Sequence, residues 1–444
     1  MAKITPLSGF PEWLPEERLL EQQCQDLIRQ QFELYGFANI ETRAVEPIDV
    51  LTGNGDDKEI YVLGRLQQDD SAAKEPAFGL HFDLTVPMAR YVLQHKGQLT
   101  FPFKRYQMQK VWRGERPQEG RYREFTQCDI DVIGDGELPT SYDAEVVRLL
   151  AVITSQLSAQ FGFPAITLRV NNRKLLQGVY EALGITDTNA VLRVVDKLDK
   201  IGPAQVSALL QTELGLSAPQ ADTCLKLATI RITDAGFAEA VRALGVQGSL
   251  LDTGLDELQA VIDNCADLNA ARTAAGLPAA VVADLSIARG LAYYTGTVCE
   301  GQMQGFEKAG SVCGGGRYDN LASDDKTKLP GVGVSIGLTR LLGLLLASGQ
   351  LKPTRKTPTT VVVALNDDAH RPAAAQLANQ LRGRGIRTDV FPAPKAFGKQ
   401  IEATAKRGIP YIWFMGADGT HQVKDLATGV QTAADPATWV PERA

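Results

Sequence analysis

Residues 110–125 read Lys110-Val111-Trp112-Arg113-Gly114-Glu115-Arg116-Pro117-Gln118-Glu119-Gly120-Arg121-Tyr122-Arg123-Glu124-Phe125. The flanks, Arg105–Trp112 and Arg123–Ile133, are strand-like, and the loop between them, Arg113–Tyr122, is rich in Arg, Gly and Pro. Together they predict a hairpin with a long basic tip. Four arginines fall within eleven residues, 113–123, with few acids beside them. Such a concentration is either solvated or meets anions, because guanidinium groups pair bidentately with phosphate or carboxylate. Glycines that allow close backbone approach, and interleaved aromatics, favour the anion site over a solvated loop. Arg113 and Arg123 are expected to converge on one site, and Phe125 to offer a flat face to an aromatic base.

The second strand continues as Gln127-Cys128-Asp129-Ile130-Asp131. Alternation puts Gln127, Asp129 and Asp131 on one face. Buried without partners they would be costly. They suit a small polar ligand, with carboxylates for a cationic group and the amide for orientation; an exposed sheet face is the alternative. Upstream, Phe82-Asp83-Leu84-Thr85-Val86-Pro87 lies at a strand-to-helix junction, where Asp83 by itself reads as a helix cap. Downstream, Arg289 and the pair Tyr293-Tyr294 sit between Gly290 and Gly296. Tyrosine hydroxyls donate and accept, so they can read a polar ring, although a core aromatic pair beside a surface arginine would look the same. Gly314-Gly315-Gly316 has neither P-loop nor dinucleotide spacing and reads as a close-packed turn. In Gly331–Leu341, small residues alternate along a flat strand. Arg340 then emerges near the start of a helix, against the dipole, a placement that makes sense if it meets an anion.

The surrounding chain has 444 residues, enough for two to four domains and a large core. Its 44% apolar and 22% charged residues exclude a mainly disordered or collagen-like chain. Net charge is −6, but residues 351–444 hold 13 Lys+Arg and 8 Asp+Glu, a local balance of +5. An acidic body with a basic tail points to a polyanionic partner for the tail. Six scattered cysteines and four unclustered histidines give no expectation of a disulfide framework or a protein-held metal. Neither a signal segment nor a membrane span is legible, so the expected location is cytoplasmic. From about Arg173 to Ala280 aromatics almost vanish and Ala and Leu dominate, which predicts a helical insertion. After the Lys-, Pro- and Thr-rich stretch Leu351–Pro358, strands and helices alternate, predicting a small α/β domain.

These segments together resemble the class II aminoacyl-tRNA synthetases, and within them the histidyl-tRNA synthetase family. The arginine hairpin resembles motif 2, and Gly331-Val-Gly-Val-Ser-Ile-Gly-Leu-Thr-Arg-Leu341 resembles motif 3. Arg289-Gly-Leu-Ala-Tyr-Tyr-Thr-Gly296 and Ser311-Val-Cys-Gly-Gly-Gly-Arg-Tyr-Asp319 resemble the two histidine-type signature segments. The order is that of the family, and the resemblance spans essentially the whole chain.

The resemblance implies an α+β fold, an antiparallel sheet of six or seven strands flanked by helices. The catalytic domain would occupy 1–172 and 281–350, interrupted by an insertion domain at 173–280 and followed by an anticodon-binding domain at 357–444. It implies ATP as substrate, Mg²⁺ carried mainly on its phosphates, histidine and tRNA(His) as the other substrates, and a homodimer. Carried over by motif position, Arg113 and Arg289 would be catalytic at the α-phosphate. Glu115, Phe125 and Arg340 would join Arg113 in binding ATP. Asp83, Thr85 and Gln127 would hold the amino group of histidine. Asp131 and Tyr294 would read the imidazole, Tyr293 would also belong to the histidine site, and Arg121 would sit near the carboxylate. The chain departs from the family at Ala292, where the signature usually has Asp, and at Arg43, where motif 1 usually has proline.

Overall fold

The computed structural model describes residues 5–52, 59–64, 77–287, 294–320, 323, 327–416 and 418–442. It divides into two compact units. One comprises the residues up to Pro11 with Cys24–Leu351, the other Glu12–Gln23 with the chain from Lys352 onward.

The first helix, α1 (Pro15–Leu34), begins with Glu16 and Glu17 and buries Leu27, Ile28 and Phe32 at helical spacing. Two short strands, β1 (Ala38–Asn39) and β2 (Val45–Pro47), lead to one helical turn, α2 (Ile48–Leu51). Then come β3 (Val62–Leu63), β4 (Phe78–Leu80) and α3 (Thr85–His95). The hairpin forms as expected, β5 (Phe103–Trp112) against β6 (Glu124–Ile133), antiparallel along ten residue pairs. Helix α4 (Ser141–Phe161) and strand β7 (Ile166–Asn172) follow.

The Ala- and Leu-rich stretch is helical: α5 (Arg173–Ala182), α6 (Thr188–Val195), α7 (Leu198–Thr212) and α8 (Ala218–Ala228). A two-residue strand, β8 (Arg231–Ile232), precedes α9 (Gly236–Arg242), α10 (Ser249–Asn264) and α11 (Ala266–Ala274). Helix α10 packs on α5, α4 and β7, so the stretch shares a core with the sheet that it interrupts. The sheet then resumes with β9 (Val281–Asp284), β10 (Thr297–Met303), β11 (Cys313–Tyr318) and β12 (Gly331–Gly337), and α12 (Leu338–Ala347) closes the unit.

The main sheet has nine strands in the order β1-β5-β6-β12-β11-β10-β7-β9-β8. Its centre, β5 through β7 in that order, is six antiparallel strands, while β1 and β9 join it in parallel. The expected antiparallel sheet is thus extended by β1 and β9, which lie within strand-like runs of the sequence and pair in parallel. The triple glycine is not a turn but the middle of β11. A Cβ at Gly315 would lie 2.0 Å from the Gly333 carbonyl, so the glycines let β11 and β12 approach closely. Arg317, at the end of β11, is buried and donates to Asp143 of α4 at 2.7 and 3.0 Å, tying helix to sheet.

The C-terminal unit has β13 (Val361–Val363), α13 (Arg371–Gly383), β14 (Thr388–Val390), α14 (Phe397–Lys406), β15 (Tyr411–Met415), β16 (His421–Asp425) and β17 (Gln431–Ala433). The strand order is β14-β13-β15-β16-β17, with β13 parallel to both neighbours. Its core is built on Val361–Val363, Leu377, Leu381 and the fully buried Trp413. The partly parallel sheet matches expectation, and the β16–β17 hairpin is an addition to it.

Candidate active site

The hairpin register decides what β5 and β6 bring together. Across it Gln107 faces Asp129 and Arg105 faces Asp131, while beyond the paired strands the Arg113 N–H donates to the Arg123 carbonyl at 2.8 Å. Arg113 also donates from Nε to the Phe82 carbonyl at 3.0 Å, and its guanidinium lies 5.2 Å from the centre of the Phe125 ring. Arg113, Phe125, Arg121, Glu115 and Arg340 line one cavity of about 280 Å³. Arg340 arrives from α12, held by a hydrogen bond to the Ala309 carbonyl, and its buried Nε has no partner among the described residues. Burial, together with Arg121 and Arg113 nearby, lowers the pKa of Arg340. Three cations around one cavity, offset by Glu115 (3.5 Å from Arg121), make a site for a polyanion with a flat ring. Arg123 does not join them. Its Nε donates to the Glu115 carbonyl at 3.1 Å and its backbone to Gly9, so it braces the tip.

Beyond Gln127 the character of the site reverses. Gln127 donates from Nε2 to Ser335 Oγ at 2.9 Å, and Ser335 and Gly314 border both this cavity and a narrower recess. That recess is lined by Thr85, Asp129, Asp131, Tyr294 and Tyr318. Asp131 is paired with the fully buried Arg105 and accepts from Tyr318 Oη at 2.5 Å. A Cβ at Gly333 would lie 2.0 Å from Asp131 Oδ1, so only glycine leaves the carboxylate its place. Asp83 accepts from the Val86 N–H at 3.1 Å in the first turn of α3, the capping role expected of it. Burial raises the pKa of Asp83 and of Asp131. It pushes Asp129 up to about 7, against the attraction of Arg105. Tyr294 is raised by burial and by the carboxylates around it. With Arg105 as their buried cation, three carboxylates leave the recess short of positive charge.

Of the residues picked from sequence, Arg113, Glu115, Arg121, Phe125, Gln127 and Arg340 line the first cavity. Thr85, Asp131 and Tyr294 line the recess. Asp83 lies close enough to act electrostatically on Asp129 and Asp131. Arg289 and Tyr293, together with Ala292, lie outside the described residues. Sequence reasoning passed over Arg105, Tyr318 and Ser335. Arg105 was within reach: the hairpin centred on the tip pairs Arg113 with Arg123 and therefore Arg105 with Asp131.

An antiparallel sheet with an arginine hairpin at one end of its site and a flat glycine-rich strand feeding a helix arginine defines the catalytic architecture of the class II aminoacyl-tRNA synthetases. Residues 9–341 match the family model for histidyl-tRNA synthetase, and residues 359–439 match that of an anticodon binding domain. The histidine–tRNA ligase of Cutibacterium acnes is 50% identical over 449 residues, spanning 99% of this chain and 97% of that protein. That of Thermobifida fusca is 52% identical over 439 residues, 98% of each. The crystal structure of histidyl-tRNA synthetase from Nostoc sp. PCC 7120 superposes with a TM-score of 0.84 at 36% identity, covering 98% of this chain and 97% of that one. A Bacillus halodurans structure titled ATP phosphoribosyltransferase regulatory subunit/histidyl-tRNA synthetase shares the fold, with a TM-score of 0.69 at 20% identity over 90% of this chain and 96% of that one. The chain belongs to the histidyl-tRNA synthetase family.

Proposed function

We propose that the chain activates histidine with ATP and transfers it to tRNA(His), with the residue roles that follow. The observation that carries this reading is the junction at Gln127 and Ser335. There an arginine-lined cavity with an aromatic floor meets a carboxylate-lined recess. An oxygen of the histidine carboxylate forms a bond to the α-phosphorus of ATP while the bond to the β-phosphate bridge breaks, releasing pyrophosphate. The terminal ribose hydroxyl of tRNA then attacks the acyl carbon, loses its proton, and displaces AMP.

Arg113 and Arg289 stabilise the charge that develops on the α-phosphate. Phe125 and Arg340 sandwich the adenine, with Arg340 also meeting the γ-phosphate and Glu115 the exocyclic amine. Arg121 serves the substrate carboxylate. Asp83, Thr85 and Gln127 take the amino group, and Asp131, Tyr293 and Tyr294 the imidazole. No group of three carboxylate, histidine or cysteine side chains that could hold a metal gathers among the described residues. In this reading Mg²⁺ would enter with the nucleotide, held mainly by its phosphates.

The C-terminal unit is the tRNA-binding module of this reading. Phe397 and Phe414 stand edge to face at 5.0 Å beside a hollow of about 320 Å³, and Phe397 is 41% exposed, which suits a stacked base. A second copy of the chain is the proposed cover for Val62, Leu63 and Phe78, exposed apolar residues on the three-stranded sheet β2-β4-β3. No described helix is long and apolar enough to cross a membrane, and the reaction belongs with translation in the cytoplasm.

The test is ATP–pyrophosphate exchange with each of the twenty amino acids, followed by charging of tRNA. Exchange with histidine alone, and charging of tRNA(His), is the expected result. Histidine binding without exchange would instead favour a regulatory relative that has kept the fold. Arg289→His should lower exchange by orders of magnitude while histidine binding largely survives. Unchanged exchange would remove Arg289 from the site.

A further inference from the structure

Two buried acceptors at the junction have no donor among the described residues: Gln127 Oε1 and Asp129 Oδ1. They stand two positions apart on one face of β6, and Asp129 is 3% exposed. Each has its other polar atom occupied by the same hydroxyl. Gln127 Nε2 donates to Ser335 Oγ at 2.9 Å, and Asp129 accepts from Ser335. Ser335 therefore fixes both side chains and leaves one oxygen of each unpartnered.

An unmet acceptor in a protein interior is costly, and two on neighbouring positions of one strand face call for a shared donor. The other carboxylate of the recess does not present the same need. Asp131 has Arg105 on one oxygen and Tyr318 on the other. Arg105 directs its remaining reach to Gln107 and the Leu84 carbonyl, at 3.3 and 3.4 Å. Arg105 Nε has no partner among the described residues, and Asp129 is thus a buried acid that Arg105 attracts by charge while its salt bridge goes to Asp131. It sits between Gln127 on the nucleotide side and Asp131 at the far end of the same face.

We propose that Asp129 joins Asp83 as an anionic partner of the substrate ammonium group, which it holds together with Gln127 Oε1 and the Thr85 hydroxyl. The assignment rests on the reading of the recess as an amino-acid site and deepens it. An –NH₃⁺ group has three donors, and the junction offers Asp129, Gln127 and Thr85 on its walls. Asp131, already paired, is left to the side-chain end of the ligand. Asp129 then becomes the residue that separates an α-amino acid from a deaminated analogue with the same ring.

The test uses two unreactive probes, L-histidinol, which keeps ammonium and imidazole, and 3-(imidazol-4-yl)propionate, which lacks the ammonium. Binding of each to wild type and to Asp129→Asn is measured by calorimetry, with ATP binding in the same samples as the control for folding. Truncating one partner of a buried charge pair should weaken L-histidinol about thirtyfold or more and leave the propionate within about threefold. A variant that keeps wild-type affinity for L-histidinol, or loses both probes equally, overturns the assignment. Wild type alone supplies a second measurement. At pH 7, calorimetry in buffers of different ionisation enthalpy should show about half a proton more released with L-histidinol than with the propionate. An equal release would count against Asp129. Wild-type protein that binds neither probe would overturn the histidine reading itself, and this assignment with it.

Discussion

Replacing Asp129 by Asn should make the ligand-free protein more stable, and by an amount that depends on pH. Burial holds the Asp129 carboxyl near 7, against about 3.8 in an unfolded chain. A folded pKa raised above the unfolded one means that the folded state binds the extra proton. Stability therefore falls as pH rises from about 4 to about 7 and is flat above. Three pKa units correspond to about 4 kcal/mol, of which roughly two units, about 2.7 kcal/mol, fall between pH 5 and pH 7. The groups that face Asp129 set the size of the effect: Arg105 from β5 attracts the charged form, while Asp131 and Asp83 oppose it. Asn keeps the shape and can still accept from Ser335, but it has no proton to lose. Urea midpoints of the catalytic unit at pH 5 and pH 8 provide the assay. Asp129→Asn should gain on wild type at both pH values, and by about 2–3 kcal/mol more at pH 8. A variant less stable than wild type at pH 8, or a difference that does not change with pH, would refute the reasoning. The same acid that weakens the empty fold is the one assigned to the ligand, a familiar trade of stability for function.

Arg113→Ala should lower histidine-dependent pyrophosphate exchange by about a hundredfold or more, with little change in L-histidinol binding, because Arg113 lies on the nucleotide side of Gln127. Asp143→Ala leaves the buried Arg317 with only the more distant Asp319, at 3.7 Å, and should cost about 3 kcal/mol in denaturant unfolding. Phe397→Ala should raise the KM for tRNA about fivefold or more, one base stack's worth, and leave pyrophosphate exchange unchanged. Val62→Asp should lower the sedimentation mass toward that of one chain if a second copy covers the small sheet.

The hairpin was legible because two independent patterns agreed, β-type runs on either side and a tip too basic and glycine-rich to be strand. The same tip also located Arg113, Phe125 and Gln127. What sequence could not say is which of two alternating faces is buried. Arg105 reads as a surface residue on a strand, and only pairing with Asp131 across the register puts it in the core at 0% exposure. Arg123 failed in the opposite sense. A strand-end arginine beside three others looked like part of the anion site, yet a single backbone acceptor, the Glu115 carbonyl, turns it into a brace. The triple glycine carried no period at all, since absent side chains leave nothing to alternate, and so a central strand was read as a turn. The β16–β17 hairpin was lost for a related reason. His421-Gln-Val-Lys-Asp425 has one buried apolar residue, Val423, and the partner Gln431–Ala433 is exposed throughout.

The arrangement of charge has a consequence that no single residue carries. Arg113, Arg121 and Arg340 against Glu115 make one side of the junction positive, and Asp83, Asp129 and Asp131 against Arg105 make the other negative. Burial is the main cause of the raised carboxyls and the lowered Arg340, and like charge adds to it at Asp129, Asp131 and Arg340. A zwitterionic amino acid is a dipole of matching sense. Its ammonium is drawn to the carboxylates and its carboxylate to the arginines, which also draw the polyphosphate. The field therefore orients the nucleophilic oxygen toward the phosphorus before any contact specific to the side chain is made. In the proposed reading, identity of the amino acid is read afterwards, at the far end, where Asp131 is held by Arg105, Tyr318 and the missing side chain of Gly333. Orientation and selection are thus separate tasks on one strand face. On the proposed assignment, Gln127 and Asp129 serve the part common to all amino acids, and Asp131 the part that differs among them.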